Sequence, residues 1–229
     1  MRRLWLWSVT VVGLVVIVGT AAWFWLTANA QSTSSIPQND TYLETLSVWG
    51  QVPDFTLVER SGRTVQLTDL RGKVWVVNFA YTQCTDTCPM QTANMARLQK
   101  DFAGEPDVRL VSISVDPAHD TPEFLREYAS RYNADADRWL FLTGNKEAIY
   151  DLAIKGFRLG VVEQPDEYQH VHSDGTLHIH KTAAGERVVH SSRFVLIDRQ
   201  AQIRAYFRGT EEEALARLRV AVRRLLQEP

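Results

Sequence analysis

The sequence predicts an α/β domain with a mixed central sheet flanked by helices, preceded by one N-terminal transmembrane helix. Three observations predict it. A long apolar run without charge lies near the N-terminus. Three short, almost wholly apolar runs are separated by helical patterns. Two alternating runs joined by a polar turn, then an amphipathic helix, close the chain.

The first run extends from Leu4 to Leu26 without a charge. A helix of that length rises about 34 Å, enough to cross a hydrocarbon core of about 30 Å. Trp5 and Trp7 mark one end and Trp23 and Trp25 the other, the positions of interfacial aromatics. Arg2 and Arg3 ahead of the span put the N-terminus in the cytoplasm and the bulk of the chain on the other side of the cell (inner) membrane. Ala28-Asn29-Ala30 also has the form of a signal-peptidase site, but signal cores run only about 7–15 residues. Either reading exports the domain. Residues 1–27 are therefore expected as an anchor and 28–50 as a polar linker, with a short helix over Tyr42–Trp49. Residues 51–229 are expected to form the folded domain.

Within that domain, Pro53–Val58 and Thr64–Leu67, separated by Ser61-Gly62-Arg63, form a hairpin pattern. Val74–Ala80, Val108–Val115 and Trp139–Leu142 suit strands buried on both faces. Met95, Leu98 and Phe102 recur at helical spacing after Cys88. Thr121-Pro122 is a helix start with Thr as N-cap and Pro in the first turn; Phe124, Leu125, Tyr128, Ala129 and Tyr132 give its inner stripe. Ile149, Leu152 and Ala153 mark a third helix. Arg193–Ile197 and Ile203–Phe207 flank the polar turn of a late hairpin, and Thr210–Glu213 is a capping box opening the last helix. A hairpin, then βαβα with a further strand and helix, then a hairpin and helix is the layout of thioredoxin-like folds.

A formal charge of -2 argues against a nucleic-acid binder, whose footprint is basic and clustered. The chemistry concentrates in the only two cysteines, in Phe79-Ala80-Tyr81-Thr82-Gln83-Cys84-Thr85-Asp86-Thr87-Cys88-Pro89. They follow the most apolar strand and precede a helix, the end of an open α/β sheet where ligands gather. A helix N-terminus favours thiolates, which soft metals and disulfide exchange both require. A structural disulfide is the plain alternative, yet closing so short a loop constrains the unfolded chain little. Oxidoreductases of this fold use Cys-x-x-Cys. The additional residue here suits two sulphurs converging on one ion without forbidding a disulfide. Cys84 and Cys88 are therefore candidate metal ligands and a candidate redox dithiol, and two thiolates call for a third donor.

There are six histidines. His119 stands in a loop after the second apolar strand. His170, His172, His178 and His180 make two His-x-His pairs, either a metal-binding hairpin or a solvated loop. His190 stands at the threshold of the late hairpin, and spacing alone leaves it open as a ligand or a structural histidine.

Three blocks together resemble the signatures of the Sco/SenC family: Phe79-Ala80-Tyr81-Thr82-x-Cys84-x-x-x-Cys88-Pro89, Ser112–Pro117 with Asp120-Thr121-Pro122, and Val189–Asp198. The resemblance covers roughly residues 50 to 227. It implies a thioredoxin-like fold that holds copper, as Cu(I) or Cu(II), through Cys84, Cys88 and His190. It implies a chaperone for the copper-bearing subunit of cytochrome c oxidase, with another periplasmic copper chaperone as a further partner. Some members of the family are thiol–disulfide reductases, so a reductase role for Cys84 and Cys88 stays open. Asp116 matches an acidic family position tied to partner contact or tuning of the site. Two departures stand out: Val189 replaces an acid common before the ligand histidine, and residues 163 to 189 form a longer, histidine-rich connection. A peroxidase of the peroxiredoxin type is disfavoured, because no Pro-x-x-x-Thr-x-x-Cys frame precedes either cysteine.

Overall fold

A computed structural model describes residues 46–84, 87–159, 162–164, 170–171, 177–178, 187–189 and 191–228. The expected anchor over residues 4–26 lies outside them, as do Thr85, Asp86, His172, His180 and His190. Among the described residues no helix is long and apolar enough to cross a membrane.

The expected apolar runs are the centre of the fold. β4 (Val74–Ala80) is buried along its whole length. It pairs in parallel with β5 (Val108–Ser114), which pairs in parallel with β6 (Trp139–Thr143). Parallel strands need crossovers, and two helices provide them: α1 (Cys88–Asp101) between β4 and β5, and α2 (Pro122–Arg131) between β5 and β6. The early hairpin, β2 (Thr56–Glu59) with β3 (Thr64–Gln66), lies antiparallel against β6. The late hairpin, β11 (Arg193–Ile197) with β12 (Gln202–Arg208), lies antiparallel against β4. A two-residue strand β1 (Gly50–Gln51) completes the mixed sheet, whose order is β1-β12-β11-β4-β5-β6-β2-β3.

Alternation along β4 separates two cores. Trp75, Val77 and Phe79 face the layer holding Ile149, Leu152 and Phe157, from α3 (Lys146–Asp151) and the π-helical turn Leu152–Gly156 that extends it. Val74 and Val76 face the layer with Met95 and Leu98 of α1, Leu125 of α2, and Leu215 and Leu218 of α4 (Glu212–Gln227). Burial of such side chains at about 25 cal/mol per Å² of apolar surface is the main favourable contribution to folding.

Three local expectations are corrected. Leu46–Trp49 is not helical; instead the Trp49 amide donates to the Ile203 carbonyl (2.8 Å), leading directly into β1. Phe124 is not part of the inner stripe of α2 but 57% exposed, because Leu125 and Ala129, one turn apart, take the sheet-facing positions. The last helix is capped at Glu211 rather than Thr210, without a side-chain cap bond. Its acids are engaged elsewhere: Glu211 pairs with Arg208 and Glu212 with Arg97.

Between Leu159 and Ser191 the chain makes two small antiparallel ladders. β7 (Val162–Gln164) pairs with β10 (Arg187–Val189), and β8 (His170–Val171) with β9 (Leu177–His178).

Candidate metal centre

Cys84 and Cys88 lie where β4 gives way to α1. The chain leaves the sheet at Ala80 and turns, with the Cys84 amide donating to the Tyr81 carbonyl (3.4 Å). Cys88 is the first residue of α1, with Thr87 at the N-cap and Pro89 following, as the proline predicts. Both cysteines stand as thiols; Cys88 is fully buried and Cys84 is 7% exposed. The helix start holds amides without intrahelical partners, and this end of the dipole stabilises negative sulphur.

Tyr81, almost fully buried, belongs to the same constellation. Burial first, then the charge of Cys84 and Cys88 and a hydrogen bond with Cys84, and lastly Asp116, push its hydroxyl far above the ordinary phenol range. The hydroxyl therefore keeps its proton and can donate to the Cys84 sulphur. Asp116 is buried and carries His119, whose Nδ1 is 3.1 Å from both carboxylate oxygens. His119, which the sequence places in a loop after β5, is thus paired with an acid of that loop.

Sequence reasoning missed the group that shapes the loop. Asp120 is fully buried. Its carboxylate accepts from the Thr82 amide (3.0 Å), the Thr82 hydroxyl (2.5 Å) and the Ser114 hydroxyl (2.5 Å). The last backbone bond joining the two loops runs from the Val115 amide to the Ala80 carbonyl (3.0 Å). Beyond it, this side chain continues the ladder towards Cys84. Burial raises the Asp120 carboxyl above the usual range, and the hydrogen bonds from Ser114 and Thr82 oppose that shift. On α1, the Thr92 hydroxyl donates to the Cys88 carbonyl (2.8 Å) and meets the Tyr128 hydroxyl (2.9 Å). Tyr81, Thr82, Thr92, Ser114, Asp120 and Tyr128 help to line a cleft of about 260 Å³, its open mouth included, between the two βα loops. One turn past Cys88, the Gln91 side-chain carboxamide is fully buried, and neither its nitrogen nor its oxygen has a hydrogen-bond partner among the described residues.

The structure thus brings Cys84, Cys88, Tyr81 and Asp116 together. Among the described residues no group of three or more His, Cys, Asp or Glu side chains is arranged to hold a metal. The third expected donor, His190, lies outside the described residues. Its chain neighbours are placed: β10 ends at Val189, and β11 begins at Arg193. β11 runs antiparallel to β4 with Val195 opposite Val77, so its first residues lie at the end of the sheet where β4 releases the cysteine loop.

Comparison with known proteins gives one consistent answer. The SCO1 protein homolog of Bacillus subtilis is 33% identical over 163 residues, covering 70% of this chain and 75% of its own. The structure of BsSco, a member of the Sco family of cytochrome c oxidase assembly proteins in which a disulfide switch was identified, superposes with a TM-score of 0.63. It has 30% identity and covers 80% of this chain and 98% of its own. Bradyrhizobium japonicum ScoI, solved with copper bound, shares the fold at a TM-score of 0.58 and 24% identity, covering 76% of this chain and 99% of its own. The SCO1/SenC family model matches residues 50–226, and the chain belongs to that family.

Proposed function

We propose that this protein carries copper to, or prepares, the copper centre of cytochrome c oxidase, holding the ion through Cys84, Cys88 and His190. We further propose that it stands on the non-cytoplasmic side of a membrane, anchored by residues 4–26. The observation that carries the reading is the placement of two buried thiols at the mouth of α1, beside the end of the sheet where β11 begins.

The donor set fits the cargo. Thiolates select soft Cu(I), and an added imidazole lets the same site accept Cu(II). Three protein donors leave room for a ligand from a docking partner, so the ion passes by ligand exchange over the Thr82–Pro89 loop. Tyr81 supports the thiolate form by donating to Cys84. Copper is the ion seen in ScoI, a protein of the same fold.

A second reading draws on the same thiols. As a reductase, the dithiol transfers two electrons to a target disulfide: Cys84 and Cys88 become a disulfide and the target leaves with two thiols and both protons. A disulfide switch in BsSco favours keeping it in view.

Copper counting with X-ray absorption on single variants tests the first reading. Cys84→Ser and Cys88→Ser should each abolish retention of Cu(I). His190→Ala should leave sulphur scattering intact while removing the imidazole contribution and weakening retention at least tenfold. Unchanged stoichiometry and affinity in His190→Ala would remove that residue from the site. Reduction of a disulfide-bonded copper-site peptide that proceeds equally with a copper chelator present would favour the reductase.

A further inference from the structure

α1 buries Cys88, Gln91, Thr92, Asn94, Met95 and Leu98. Three polar side chains interrupt this face, and two of them have partners. The Thr92 hydroxyl meets that of Tyr128 on α2 (2.9 Å), and the Asn94 carboxamide donates to the Gly209 carbonyl (2.8 Å). Gln91 is as deeply buried as any of them, yet neither polar atom of its side chain is bonded among the described residues. Buried carboxamides are almost always satisfied, so this one calls for an explanation.

Helix geometry shows which way it faces. At about 100° per residue, Thr92 lies about 40° round the helix from Cys88 in the direction of α2, and Gln91 about 60° the other way. That way leads to β11: Asn94, further round, holds Gly209, and the Gly209 amide donates to the Ser192 carbonyl just ahead of β11 (2.9 Å). Helical side chains lean back towards the N-terminus, so Gln91 covers the turn that Cys88 opens. Cβ atoms at i and i+3 are about 5–6 Å apart, a gap that a glutamine side chain spans. Other acceptors in that turn are engaged. The Thr87 carbonyl takes the Gln91 backbone amide (3.0 Å), and the Cys88 carbonyl takes the Thr92 hydroxyl (2.8 Å). One turn further on, Met95 is apolar and fully buried.

We propose that Gln91 is a positioning residue for copper, its carboxamide N–H donating to the Cys88 sulphur once that sulphur is a copper-bearing thiolate. The inference rests on the copper reading above and adds a residue to it. A thiol sulphur is a weak acceptor, whereas a charged one attracts a donor strongly. The unpaired carboxamide beside a thiol is then one half of a two-state arrangement, and the hydrogen bond beside a loaded thiolate is the other. Donation also draws electron density from the sulphur, which tunes the metal towards Cu(I).

The test compares wild type, Gln91→Met and Asn94→Ala, each as the full chain in detergent. Met keeps the length of Gln and removes its donors. Competition with bicinchoninate measures Cu(I) affinity, urea unfolding measures the stability of the reduced, metal-free chain, and absorption follows the sulphur-to-Cu(II) charge-transfer band. Gln91→Met should bind Cu(I) about tenfold more weakly, the loss expected for an outer-shell partner. Its metal-free form should unfold at the same urea concentration or a higher one, because an apolar group replaces an unpaired amide. Its charge-transfer band should move to lower energy, since a sulphur without the donor holds its electrons less tightly. Asn94→Ala should do the reverse, lowering the urea midpoint and leaving Cu(I) affinity within about twofold. Wild-type affinity and an unmoved band in Gln91→Met would overturn the inference alone. So would copper loss that comes with a lower urea midpoint, or that Asn94→Ala matches, since either marks a structural role. A wild-type chain that binds no Cu(I) would overturn the copper reading and this inference together.

Discussion

Asp120 does for the cysteine loop what a backbone carbonyl does within the sheet: it accepts the Thr82 amide and ties the end of β4 to the end of β5 through Ser114. Asp120→Asn replaces one acceptor oxygen by a donor, so a hydroxyl bond is lost in a buried place, at a cost of about 1–3 kcal/mol. If Asp120 positions Cys84, this variant and Thr82→Val should both change the alkylation rate of Cys84. Ser112→Ala, which breaks equally buried bonds from β5 to Asn78 of β4 and from the Trp139 indole, should lower stability without that change. Equal alkylation rates in all three would reduce Asp120 to a structural role. The sign of the pH dependence follows from burial. A carboxyl raised in the folded state binds its proton more tightly there than in the unfolded chain. Its contribution is complete below the unfolded value of about 3.9 and is lost as pH climbs through the raised one. Urea unfolding between pH 4 and 7 should therefore shift the balance towards Asp120→Asn as pH rises; a constant difference would contradict it. The cysteines were legible because spacing and a following proline are local. The Asp120 clamp joins residues 38 apart, and such a bond leaves no periodic trace in a sequence.

Elements were legible in proportion to their apolar content. β4, β5 and β6 stand within a residue of the runs that predicted them, because a buried parallel strand admits few polar residues. β1 was not, since two residues paired to a distant strand carry no pattern. The Thr210 box does not form: the helix takes Glu211 as its N-cap, and Glu213, the acid that would complete the box, lies 3.9 Å from Arg217 instead. Between β12 and α4, packing governs more than propensity. A Cβ at Gly209 would come within 2.6 Å of the Phe194 ring, and Phe194 is fully buried. Gly209→Ala should therefore destabilise by about 1–3 kcal/mol, the usual range for overpacking. Gly104, with nothing within 4 Å of its Cβ position, should accept Ala within about 0.5 kcal/mol. Equal urea midpoints for the two variants would show that the Phe194 ring yields without cost.

At the scale of the molecule, the sheet order places stability and chemistry on different strands. The thiol loop springs from β4, which neighbours β11, whereas β1 lies beyond β12 at the outer edge. That edge is anchored by the Trp49 amide on Ile203, the Val52 amide on Ala201 (3.0 Å) and the Trp49 ring set edge-on to Tyr206 at 6.2 Å. Val52 itself is buried. A soluble chain beginning at residue 53 loses all of these, whereas one beginning at residue 42 keeps them. Summing a buried Val, two backbone bonds and an aromatic pair, the shorter chain should be less stable by about 3 kcal/mol or more. Both should retain the same copper per chain under conditions where each is folded, because two strands separate the lost edge from the thiols. Urea unfolding paired with copper counting checks both halves at once. Lost copper from a folded shorter chain would mean that the outer strand shapes the site, and the separation argued from strand order would fail.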